Sequence, residues 1–293
     1  MIAIGETHAL EVVKHVDFGV YLDGGDLDEI LLPNNALPEN EADWEIGKFL
    51  TVFIYLDSED RPIATTEIPR AEVGDCALLT VVGKSEFGAF LDWGLAKDLL
   101  APFKEQRVPM EVGRSYVVCL YLDKTGRIAA SSFLGRHLAE ENDGAFEIRE
   151  QVDLLIASRS DLGYKAVING SHLGLIHNSE IVRPITIGDT FAGYIQDIRP
   201  DGRINLTLQR PANEMRDALA ERILAHLEAN GGQSPLTDKS PPDDIYAVYH
   251  ASKANYKKAL GKLYKDRKVT LEHNRVRIAD QAQVIKSGPS KSP

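Results

Sequence analysis

Along residues 4–211, apolar positions alternate with polar ones or cluster in short runs, broken by turn signals such as Asp60-Arg61-Pro62, Lys124-Thr125-Gly126 and Pro200-Asp201-Gly202. A period of two with frequent turns predicts short strands of an all-β barrel rather than helices. The pattern also repeats. VKHVDFGVYL (13–22) returns as VGKSEFGAFL (82–91) and, in weaker form, as ASRSDLGYKAVI (157–168). Downstream, the stretch beginning at Trp44 returns from Met110 and again from Ile185, with Gly47, Gly113 and Gly188 at the same point in each copy. A repeat of this kind is one folding unit used three times, with five strands fitting each copy. The extra length before the third copy falls in AEENDGAFEIR (139–149), which reads as an inserted connector. Phe18-Gly19 and Phe87-Gly88 set a glycine beside an aromatic in mid-strand, where a bulge or sharp bend is expected.

Past Arg210-Pro211 the period changes. Met215, Leu219, Ile223, Leu224 and Leu227 recur at helical spacing up to Gly231-Gly232, which predicts an amphipathic helix. A short helix, a turn at His250-Ala251 and a second helix with Ser252 as N-cap follow. VTLEHNRVRIAD reads as a hairpin turning near His273-Asn274. Helices followed by a hairpin are the order of a winged helix-turn-helix. The expected domains are therefore barrels at 1–70, 71–138 and 150–211, a winged helix at 212–280 and a flexible tail at 281–293.

Charge modifies this picture by its distribution. The net charge of −11 argues against a nucleic-acid binder if taken whole. Residues 1–70 carry 4 basic and 15 acidic side chains, 71–149 carry 9 and 12, 150–211 carry 6 and 7, and 212–293 carry 14 and 10. The balance thus rises from −11 through −3 and −1 to +4, and polyanion attraction belongs at the C-terminal end. No apolar segment approaches the ~18 residues of a membrane span, and no secretory leader precedes the first strand, so the expected location is the cytoplasm. Cys76 and Cys119 lack the spacing of a zinc or redox pair and read as two buried free thiols.

The repeated residues resemble the S1 RNA-binding domain, an OB-type barrel. Phe87-Gly88-Ala89-Phe90 matches its F-G-A-F stretch, and Gly174-Leu175-Ile176-His177-Asn178-Ser179-Glu180 its G-L-I-H-x-S-E stretch. Repeats one and two have Pro33 and Pro102 in place of the histidine, and repeat three has Leu162 and Lys165 in place of the aromatics. Three such barrels plus a winged helix resemble, along nearly the whole chain, the bacterial conserved virulence factor B family. That resemblance implies RNA binding and regulation of gene expression, and no enzymatic activity.

Candidate contacts follow from this frame. Aromatic rings on an OB face stack on splayed bases at ~1–3 kcal/mol each, which singles out Phe18, Tyr21, Phe87 and Phe90. Strict alternation would put the two members of each pair on opposite faces, one of them in the core, unless a bulge intervenes. His177 enters through the S1 match alone. Lys84, Arg127, Arg159, Lys165 and Arg203 flank the same surface as phosphate contacts, although a lone surface cation is commonly just solvated. In the C-terminal domain, residues 253–277 hold nine basic side chains, among them Lys253, Lys257, Lys258, Lys262, Lys265, Arg275 and Arg277, against Asp266 and Glu272. Lys258, Lys262 and Lys265 fall on one helix face. The turn Asp23-Gly24-Gly25-Asp26-Leu27-Asp28-Glu29 lacks the glycine and glutamate of an EF-hand loop, and no phosphate loop, nucleophile elbow or metal-ligand cluster is present in the sequence. No cofactor or catalytic site is expected. The leading expectation is a non-enzymatic binder of single-stranded RNA. A winged-helix DNA-binding transcription regulator and a protein-interaction adaptor on the ribosome or polymerase, docking through the acidic first barrel, are the alternatives.

Overall fold

The computed structural model describes residues 2–181, 183–209 and 212–279, with no side chains described for 212–216. The expected tail at 281–293, Arg210-Pro211 and the Met215 side chain therefore lie outside the described residues. The chain divides into two compact units, Met1–Gln209 and Arg210–Pro293.

The first unit contains the three expected barrels. Barrel one runs β1 (Thr7–Val16), β2 (Gly19–Asp23), β3 (Glu29–Pro33), β4 (Phe49–Leu56) and β5 (Pro62–Thr65), closed in the order β1-β2-β3-β5-β4. Barrel two repeats the series as β6 (Cys76–Lys84), β7 (Gly88–Asp92), β8 (Leu99–Pro102), β9 (Ser115–Leu122) and β10 (Ile128–Ser131). It stays just short of closure: β8 and β10 lie side by side without a ladder between them. Barrel three, β11 (Gln151–Ser160), β12 (Gly163–Ile168), β13 (His172–His177), β14 (Thr190–Ile198) and β15 (Ile204–Thr207), closes fully through parallel β13 and β15. Alternation fills each interior. In barrel one Leu10, Val12, Val20, Leu22, Ile30, Leu32, Val52 and Ile54 are all buried, each worth ~1.5–3 kcal/mol of transfer free energy.

The glycines of the F-G stretches do not form the bulge expected of them. The register shift lies one strand earlier, between Val12 and Lys14, Val81 and Gly83, and Ile156 and Ser158. Gly19, Gly88 and Gly163 instead open the second strand of each barrel. There a Cβ would collide with the carbonyl oxygen of Leu32, Ala101 or Ile176 on the third strand. The glycine is required by close approach of two backbones.

Neighbouring barrels dock through the same strand position. Phe53, at the middle of β4, points away from its own barrel and is buried in the core of barrel two, edge-on to Trp93 at 5.5 Å. Cys119 stands at the equivalent point of β9 and, with Val117 and Leu138, packs on Ala157, Val167 and Leu173 of barrel three. The expectation of two free thiols is overturned here. Cys76 and Cys119 are direct cross-strand partners on β6 and β9 and form a disulfide; their 43-residue separation hides a contact that only the strand register creates. The connector reading of 139–149 also changes. Ala139 forms a bridge to His172, the Asn142 side chain holds the N–H and C=O of Phe146 at 2.9 and 3.0 Å, and Phe146 is buried in the core of barrel three.

In the second unit, α1 (Ala212–Ala229), α2 (Pro242–Tyr249) and α3 (Lys253–Lys265) precede a hairpin of β17 (Val269–Leu271) and β18 (Val276–Ile278). β16 (Gln233–Ser234), which the hydrophobic pattern is too short to reveal, adds a third strand beside β18. His250 ends α2 in the left-handed conformation, and the Ser252 hydroxyl accepts the Asn255 N–H at 3.3 Å, as the cap pattern predicts. The core joins Leu219, Ile223, Leu227, Ile245, Leu260, Leu263 and Val276 with the stacked Tyr249 and Tyr256, whose ring centroids are 5.1 Å apart. Burial pushes the Tyr256 phenol above its ordinary value; its hydroxyl donates to the Leu236 carbonyl at 2.9 Å. No helix among the described residues is long and apolar enough to cross a membrane.

Candidate nucleic-acid interface

Each barrel presents the start of its second strand beside the end of its third, because the glycine draws those backbones together. In barrel one, Phe18 is 54% exposed and meets Tyr21 edge to face at 6.4 Å, while the Lys14 ammonium lies 5.5 Å from the Tyr21 ring. Both rings therefore reach one surface: Phe18 precedes the strand and escapes its alternation. In barrel two Phe87 is 67% exposed, and Phe90, half-buried, pairs across to Gly83. In barrel three the corresponding positions are Leu162, exposed, and Lys165, half-buried, with Tyr164 between them beneath the Arg159 guanidinium at 5.6 Å.

The turn after the third strand completes this surface. Asn34 and Asn178 donate side-chain N–H groups to the carbonyls of Asp17 and Asp161 at 2.9 and 2.8 Å. Barrel two has Phe103 at this place, its backbone N–H directed to the Phe87 carbonyl at 3.3 Å and its side chain 55% exposed. Sequence reasoning missed Phe103. The signal was present in the alignment of Pro102 with His177, because the next residue in each copy falls beside the aromatic position. His177 is half-buried, and its Nε2 lies 3.1 Å from the Asn205 Oδ1, whose amide donates to Asp197 at 3.1 Å. That chain of hydrogen bonds orients the imidazole on the strand.

The flanking cations differ in availability. Lys84 is exposed and has no ion pair among the described residues. Arg127 grips Asp60 of barrel one through Nε at 2.6 Å, and Arg203 lies 3.5 Å from Glu140. Arg159 and Lys165 face a groove between barrels two and three, into which Arg107, Arg114 and Arg136 of barrel two also project.

On α3 the buried face is Tyr256, Ala259, Leu260 and Leu263, which leaves Lys258, Lys262 and Lys265 opposite. Lys262 pairs with Asp217 at 2.5 Å and Lys257 lies 3.9 Å from Asp238, whereas Lys258 and Lys265 are exposed and have no ion pair among the described residues. Lys253 donates to the Lys239 carbonyl. Arg275 and Arg277 share Glu272, whose carboxyl these arginines hold below the usual carboxylate range.

Three OB-type barrels with aromatic and cationic rims, followed by a winged helix, define a chain assembled from nucleic-acid-binding modules. Comparison with known proteins agrees. The S1 domain model matches residues 4–67 and 73–132, and the CvfB-like winged helix domain model matches 221–278. The chain is 32% identical to the uncharacterized protein YitL of Bacillus subtilis, over 92% of this chain and 91% of that one. It is 25% identical to conserved virulence factor B of Staphylococcus epidermidis, over 94% of both chains. A solved multidomain protein with nucleic acid binding domains from Streptococcus pneumoniae is 24% identical, covering 94% of this chain and 98% of its own, with a TM-score of 0.38. The chain belongs to the conserved virulence factor B family.

Proposed function

We propose that this protein binds single-stranded RNA and regulates gene expression through it, with no catalytic step of its own. The observation that carries the reading is the exposed aromatic rim of barrel two, where Phe87 and Phe103 stand beside each other in solvent and Phe90 lies half-buried on the adjoining strand. Apolar rings left in water at a repeated position are costly unless a partner covers them, and bases of a flexible strand fit that role because every base has a π-face. A duplex keeps its bases stacked on one another and offers the rim nothing to cover. Barrel three, with Leu162 and Lys165 in place of rings and Arg159 on the neighbouring strand, supplies charge rather than stacking, as does α3.

Titrations of the full chain with a single-stranded RNA, the same RNA as a duplex and a duplex DNA, each at two salt concentrations, test the proposal. Tightest binding to the single strand supports it. Equal affinity for all three, or preference for duplex DNA, refutes it and favours the winged-helix DNA reading.

A further inference from the structure

A groove of about 910 Å³ separates barrels two and three, walled on one side by the loop before β9 and the turn after β10, and on the other by β11 and β12. Its lining carries five cations, Arg107, Arg114, Arg136, Arg159 and Lys165, against two carboxylates, Glu111 and Glu140. This surplus of three positive charges occurs in a chain whose net charge is −11. The carboxylates do not neutralise the centre. Arg114 pairs with Glu111 at 3.1 Å, and Arg136 with Glu105 at 3.0 Å. Arg107, Arg159 and Lys165 have no ion pair among the described residues, and Arg107 and Arg159 are exposed.

Two rings also line the groove. Phe133 lies 4.1 Å beneath the Arg136 guanidinium, and the Tyr116 hydroxyl accepts the Glu111 N–H at 3.1 Å, which fixes that ring in the wall. Unpaired guanidinium groups, each a planar fork of donors, suit phosphate oxygens better than any neutral ligand. Cations on both walls, with two rings on the barrel-two wall, match the needs of a strand whose phosphates alternate with bases.

We propose that the groove between barrels two and three is a phosphate-binding channel for single-stranded RNA, with Arg107, Arg159 and Lys165 as its phosphate contacts. The inference rests on the RNA-binding reading above but assigns the path of the strand to a place that no aromatic rim defines. It makes barrel three, poor in aromatics, the second wall of a site and not an independent stacking platform.

The test compares wild type with the combined Arg107→Gln, Arg159→Gln and Lys165→Gln variant by fluorescence anisotropy on a labelled single-stranded RNA, from 50 to 200 mM salt. Three lost phosphate contacts should lower the slope of log affinity against log salt by about 2, so that the variant loses roughly 16-fold less affinity than wild type over that range. An unchanged slope in the folded variant overturns the channel and leaves RNA binding by the rims intact. Failure of wild type to bind the RNA overturns both. Photocrosslinking of wild type to 4-thiouridine RNA needs no variant: adducts on Tyr116 or Phe133 support the channel, while adducts confined to Phe87, Phe90, Phe103 and α3 refute it.

Discussion

Replacing Lys258, Lys262 and Lys265 together should flatten the salt dependence of RNA binding by about two contacts and not three. All three lysines share the solvent face of α3, and helical spacing alone would credit each with one phosphate. The ion pairs distinguish them. Lys262, one-third exposed, already faces Asp217, so its charge is compensated within the protein and releases little counterion when RNA arrives. Lys258 and Lys265 have no such partner among the described residues. At ~0.7 per phosphate on a single strand, the triple Gln variant should lose about 1.4 from the slope of log affinity against log salt, and Lys262→Gln alone nearly nothing. The assay is anisotropy of the full chain on a fixed RNA at four or more salt concentrations, with circular dichroism to confirm that α3 persists. A loss near 2 in the triple variant with ~0.7 from Lys262→Gln would show that the Lys262–Asp217 pair opens on binding, and the compensation argument would fail. An unchanged slope in the triple variant would remove α3 from the RNA interface altogether.

Phe87→Ala should weaken single-stranded RNA binding by ~1–3 kcal/mol, about 5- to 150-fold, with little change in thermal stability because the ring is two-thirds exposed; equal affinity in the folded variant would place the RNA elsewhere. Gly88→Ala should destabilise barrel two by ~1–3 kcal/mol in denaturant unfolding, because its Cβ meets the Ala101 carbonyl, whereas Gly83→Ala, whose Cβ only touches Phe90, should stay within about 0.5 kcal/mol. Limited digestion with a glutamate-specific protease should cut after Glu39 or Glu41, in an exposed loop of barrel one, before Glu140, Glu141 or Glu147; earlier cleavage at 140–147 would contradict the anchoring of that segment by Phe146.

What was legible in the sequence follows from how local each determinant is. The three barrels were readable because strand alternation, turn residues and the repeat agree at every copy, and the turn after α2 and the Ser252 cap of α3 because such signals are decided within a few residues. The free-thiol expectation failed because Cys76 and Cys119 meet only through the register of β6 and β9. The bulge expected at Gly19 and Gly88 fails for a similar reason: the carbonyl each must clear lies on another strand. Exposure of Phe18 and Phe87 was not decidable from a period of two, since both residues precede the strand. Phe103 and the groove arginines were hidden because their function depends on neighbours supplied by a different strand or a different barrel.

The docking of each barrel on the next through Phe53 and Cys119 bears on how affinity accumulates. Modules joined by slack linkers engage a ligand one at a time, and each further engagement is diluted over the volume the linker explores. Here the spacing between successive rims is held by buried side chains, so that, on the proposed reading, an RNA captured by one barrel would be presented to the next at a fixed offset. On the proposed reading, weak individual sites would multiply only for strands whose segments bridge that offset, and the length and flexibility of the ligand would be measured before any base is read.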